Sequence, residues 1–90
     1  MSTTAEPLFD RSGWWNPKCR EFRSLRGVSE FRLELLQRWL PGSWQGKVVV
    51  DLGCGGGLLA IPLAHQGARV LGLDLAHKAL QEADAQHGEA

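Results

Sequence analysis

The stretch VVVDLGCGGG, residues 48–57, decides how the rest of this chain is read. An apolar, β-branched run ends on Asp51, and four of the next six residues are glycine. Ordered glycine costs backbone entropy, so such a cluster marks a tight turn, a ligand lying against the backbone, or both. The run before it, KVVVDL (47–52), suits a buried parallel strand. The segment after it, GLLAIPLAHQG (57–67), reads as a helix closed by Gly67. Pro62 is compatible with a helix that begins late, near Leu58 or Leu59. A second strand is expected over residues 69–74. LAHKALQEADAQHG (75–88) then reads as a third helical segment, with Ala76, Leu80 and Ala83 on one face and little to bury. The centre of the chain is therefore a βαβ unit, with parallel strands joined by a right-handed crossover.

The ligand follows from what flanks the glycines. Asp74 stands at the tip of the second strand, 23 positions after Asp51. That is close to the roughly 20-residue offset at which an acidic residue meets ribose hydroxyls in nucleotide-type βαβ units. A dinucleotide site calls for G-x-G-x-x-G/A. Here Gly53 and Gly55 are followed by Leu58 in the third place, so that pattern fails. The spacing present is G-x-G-x-G, at Gly53, Gly55 and Gly57, preceded by Asp51. A carboxylate beside the turn repels a pyrophosphate and suits a cationic ligand. S-adenosyl-L-methionine carries a ribose, an ammonium and a sulfonium, and no phosphate.

Upstream, SEFRLELLQRWLPG (29–42) is a clear amphipathic helix. Phe31, Leu35, Leu36, Trp39 and Leu40 share a broad stripe, Ser29 is its expected N-cap, and Pro41-Gly42 ends it. WWNPKCREF (14–22) carries two adjacent tryptophans, either a packing anchor or one wall of a pocket. Residues 1–13 read as a polar, flexible lead-in with no signal-peptide character. Ninety residues suffice for one small domain. Ten basic residues balance ten acidic ones, which argues against a nucleic-acid partner. Arg20, Arg23, Arg26, Arg32 and Arg38 alternate with Glu21, Glu30 and Glu34, as on a solvated face. Cys19 and Cys54 are expected as free thiols in a reducing, cytoplasmic setting, and their spacing suggests no metal. His65, His77 and His87 are expected on the surface, and no apolar run is long enough for a transmembrane segment.

Taken together, these segments resemble the class I S-adenosyl-L-methionine-dependent methyltransferases and, within them, the ubiquinone-biosynthesis O-methyltransferases. The resemblance is carried by WW at 14–15, EF at 21–22, FRLELL at 31–36, VDLGCGGGLL at 50–59 and GARVLGLDL at 67–75. It implies an α/β fold: an N-terminal helical segment (1–45), then the first βαβα unit (46–90) of a Rossmann-like methyltransferase sheet. That sheet has seven strands in the family, so two strands would make an incomplete, N-terminal part. The resemblance further implies that Gly53 lies against the cofactor, that Asp74 binds its ribose hydroxyls and that Arg32 contacts it. Asp51, Gly55 and Gly57 belong to the same motif. The family has a His and an Asn-Pro shortly before that arginine, where this chain has Arg26, Ser29 and Glu30. The departure bears on a polyprenyl-phenol acceptor more than on the cofactor. The implied activity is methyl transfer to a small-molecule phenolic acceptor, with no catalytic residue or metal ligand among these 90 residues, which are expected to be inactive alone. Two alternatives stand beside it: a non-catalytic half that binds cofactor or a partner, and a nicotinamide dinucleotide-binding fragment. A first strand lacking its second neighbour would also keep an open edge and a poorly covered apolar face, which favours self-association.

Overall fold

The computed structural model describes residues 12–88; most of the expected lead-in lies outside them. A 3₁₀ turn at Arg20–Phe22 runs directly into helix α1, Arg23–Trp39. Strand β1 is Val48–Leu52, helix α2 is Ala60–His65, strand β2 is Arg69–Leu73 and helix α3 is His77–Gly88. The two strands are parallel and in register from Val48↔Arg69 to Leu52↔Leu73. The expected βαβ unit is present, followed by its third helix.

Helix α1 corrects the Ser29 reading. Its N-cap is Phe22, with no side-chain cap hydrogen bond, and Ser29 lies in its interior. Tertiary packing rather than a polar cap starts this helix. Phe22 is fully buried, and its ring stacks on Trp14 at a centroid distance of 4.6 Å. The broad apolar stripe is also only partly used. Leu33 and Leu36 pack inward, whereas Phe31, Trp39 and Leu40 are exposed. A two-stranded sheet offers α1 a narrow seat, too narrow for a stripe that wide.

Helix α2 tolerates Pro62 because Pro62 is its third residue, where a backbone N–H has no intrahelical acceptor. Gly67, at φ +98°, terminates it in a Schellman motif. The Gly67 N–H donates to Ala64 O (3.0 Å) and the Ala68 N–H to Leu63 O (3.2 Å). Leu63 and Ala68 are both buried in one cluster with Trp44, covered by Leu33, Leu36, Val49, Leu59 and Val70. A second cluster joins Trp14, Phe22, Leu58 and Ala79. Ala79 is fully buried, so α3 is anchored through an alanine small enough to let the helix approach closely.

The strands are covered on one face only. Val49, Asp51, Val70 and Gly72 are half-buried, whereas Val48, Val50, Leu52, Leu71 and Leu73 point outward and are exposed. The fully buried strand suggested by the valine run is thus corrected. The poorly covered face, expected for a sheet this small, is what the structure shows. Among the described residues, no helix is long and apolar enough to cross a membrane.

Leu63→Ala would leave a cavity in the cluster it shares with Trp44 and Ala68. It is expected to cost about 2–5 kcal/mol, a large share of a small domain's stability, read as a lower denaturation midpoint in urea.

Candidate functional site

The glycine turn leaves β1 and bends back against the end of β2. The N–H groups of Gly53 and Cys54 both donate to Leu73 O, at 2.7 and 3.0 Å. The Gly55 N–H donates to Asp74 Oδ2 (2.7 Å), while Asp74 Oδ1 accepts the Ala76 N–H (2.8 Å). The Gly57 N–H returns to Cys54 O (3.0 Å). Four of the turn's backbone donors are therefore satisfied within the protein. A pyrophosphate would need such donors free.

Each glycine in the turn has its own reason. Gly53, Gly55 and Gly57 have φ of +74°, +55° and +84°, a region that L side chains rarely adopt. A Cβ on Gly53 would meet open space, so its backbone is bare toward the cleft. A Cβ on Gly55 or Gly56 would collide with the indole of Trp14. A Cβ on Gly57 would fall 2.8 Å from Ile61 Cδ1.

Arg32, Asp51, Gly53 and Asp74 come together around a cleft of about 330 Å³. Gly55 and Gly57 do not line it; they are buried beneath Trp14 and against α2. Trp14, Leu25, Ser29, Leu58 and Leu59 complete the walls. Both readings of the tandem tryptophans hold: Trp14 is 5% exposed in the core, and it also forms a wall of the cleft. Ser29 was legible only as a helix cap, since nothing in its spacing points to a cleft. Arg26 departs from the solvated-face reading. It is half-buried, and its guanidinium donates to Trp14 O (3.2 Å) and Cys19 O (3.1 Å). His65, His77 and His87 are exposed, as expected.

The cleft is electrostatically acidic at its base. Burial pushes the Asp51 carboxyl above its ordinary value; Arg32 opposes that rise, and Asp74 adds to it. Burial likewise raises the Cys54 thiol, with Asp51 and Asp74 adding to the effect, so Cys54 stays protonated. Two carboxylates facing one cleft, with only part of their charge offset by Arg32, favour a cationic ligand. Asp74 has used one lone pair on each oxygen for backbone donors, which leaves further acceptor capacity toward the cleft.

Residues 49–90 match the methyltransferase domain family. A ubiquinone biosynthesis O-methyltransferase of Bordetella avium is 49% identical over 68 residues, covering 76% of this chain and 27% of that protein. The enzyme of the same name from Ralstonia nicotianae is 46% identical over 77 residues, covering 86% of this chain and 31% of that protein. The chain thus spans less than a third of the length of these relatives. In fold, it superposes on the magnesium protoporphyrin IX methyltransferase of Synechocystis PCC 6803, a structure with bound S-adenosylmethionine. The TM-score is 0.72 at 24% identity, over 99% of this chain and 51% of that one. The incomplete Rossmann-like unit expected from the sequence is therefore the fold observed.

Asp51 supplies a test independent of any ligand. Its folded-state carboxyl titrates above its ordinary value of 3.8, so the folded protein disfavours the charged form. Below 3.8 both folded and unfolded states are protonated and the penalty is absent. It grows as pH rises and is fully present above the folded-state value. Asp51→Asn is expected to raise the melting temperature at neutral pH, with the gain disappearing in acid. A lower melting temperature at pH 7 would contradict the assigned environment.

Proposed function

We propose that this chain carries the cofactor-binding part of an S-adenosyl-L-methionine-dependent O-methyltransferase. The observation that supports it best is the cleft itself. Two carboxylates and bare glycine backbone meet at the C-terminal ends of two parallel strands, while the donors that would hold a phosphate are used internally. When bound, the cofactor supplies an electrophilic methyl group on a sulfonium. Asp74 would accept ribose hydroxyls on its unused lone pairs. Gly53 would let the ligand lie against the main chain, as its open Cβ direction allows. Asp51 would balance positive charge, and Arg32 would keep Asp51 ionised. Trp14 and the leucines of the cleft would exclude water from one side.

In this reading the acceptor is a phenolic oxygen of a ubiquinone-type polyprenyl phenol, as the resemblance in sequence implies; the relatives' names support ubiquinone biosynthesis and O-methylation. Binding is proposed from the cleft, and transfer from the family match over residues 49–90. The domain division at residues 45 and 46 belongs to the same reading. So does a cytoplasmic location, which suits the two free cysteines. The uncovered strand face and the unpaired edge of β1 support self-association of the 90-residue chain.

Calorimetric titration distinguishes this reading from a nicotinamide site. S-adenosyl-L-methionine or its demethylated product is expected to bind more tightly than NAD; tighter binding of NAD would overturn the reading. Asp74→Ala is expected to weaken cofactor binding by about 1–3 kcal/mol, the scale of a lost charged hydrogen bond. Gly53→Val should weaken it further, because a β-branched side chain resists φ +74° and projects into open cleft. Wild-type affinity in both variants would show that the site lies elsewhere.

A further inference from the structure

Glu82 lies on α3, outside the cleft walls, yet it grips the segment that forms one of them. Its Oε1 accepts the Gly13 N–H at 2.6 Å and its Oε2 accepts the Trp15 N–H at 3.0 Å. These two donors flank Trp14, so one carboxylate fixes the backbone on both sides of the indole that lines the cleft. The same strap is tied at two further points. The Trp15 indole N–H donates to Gly56 O at 2.6 Å, and Arg26 holds Trp14 O and Cys19 O. In sequence, 67 residues separate Trp15 from Glu82.

We infer that Glu82 is a positioning residue that latches the tryptophan strap, residues 13–19, onto the glycine turn and thereby sets affinity for the ligand in the cleft. This rests on the cofactor reading above. The chemistry requires a carboxylate. An ionised carboxylate only accepts, so it serves two N–H groups at once. A glutamine offers one acceptor oxygen and turns its amide donor toward the second N–H. With one anchor lost, the backbone on one side of Trp14 is held less tightly, and the indole's seat against Gly55 and Gly56 loosens.

The test combines calorimetric titration of S-adenosyl-L-methionine with amide hydrogen exchange on the same samples of the 90-residue chain. Glu82→Gln is expected to raise the Kd about tenfold, the change that follows from losing one charge-assisted hydrogen bond. It should speed exchange over residues 13–16 and leave β1 and β2 at wild-type rates, which separates a moved strap from an unfolded chain. Asp84→Asn removes the same charge from an exposed position on the same helix and should leave both readouts unchanged. A wild-type Kd in Glu82→Gln, or an equal loss in Asp84→Asn, overturns the latch while the cofactor reading stands. No binding by the wild-type chain overturns the cofactor reading, and the latch's claim on affinity with it.

Discussion

The contact between the Trp14 indole and the bare backbone of Gly55 and Gly56 governs the arrangement of this molecule. Only glycine permits it, since a Cβ at either position would occupy the indole's place. The contact ties the N-terminal segment to a turn about forty residues away, as the Trp15 to Gly56 hydrogen bond also does. Phe22 stacks on the same indole, and α1 starts where Phe22 is seated. Helix α3 reaches the cluster through Ala79. The same tryptophan therefore supports the start of one helix, the seat of another and a wall of the cleft. In a domain this small, one aromatic anchor contributes a large part of the buried apolar area.

The glycine turn offers a ligand what it leaves bare rather than what it donates. Four of its main-chain N–H groups close onto Leu73, Asp74 and Cys54, which braces the turn and takes up donors an anion would use. The remaining features of the cleft are carboxylates, open backbone and apolar walls. That combination suits a ligand with hydroxyls and positive charge. It also has a cost, because Asp51 is held in surroundings that disfavour its charged form. Such a cost is common where a residue serves a ligand more than the fold, the role proposed for Asp51.

The strand pair shows a related asymmetry. Its inner face carries Val49 and Val70 into a cluster shared with α1 and α2, and its outer face presents five apolar side chains to solvent. A parallel strand in an α/β sheet is written in sequence as if both faces were covered, and here only one is. The valine run therefore encodes more burial than these helices provide. The narrow seat on the inner face has the same origin: α1 buries Leu33 and Leu36 and leaves Phe31 and Trp39 in water.

The sequence by itself determined the order of elements, the parallel pairing, the glycine turn and the two acids that face the cleft. Those features are local. β-Branched runs, glycine spacing, Pro62 near a helix start and Gly67 at a helix end each act within a few residues, and the strand–helix–strand order then fixes the crossover. The structure decided what distant segments do to one another. The start of α1 moved because Phe22 finds Trp14, a contact with no sequence signature. Arg26 read as a solvated surface charge and Glu82 carried no signal of its own, yet each hydrogen-bonds the tryptophan strap across the fold. Gly55 and Gly57 read as members of the cofactor-binding glycine motif, and the tertiary packing places them against Trp14 and Ile61. Backbone preference and periodicity are short-ranged. Which side chain meets which bare stretch of backbone depends on the three-dimensional closure of the chain, and only the tertiary structure supplies that.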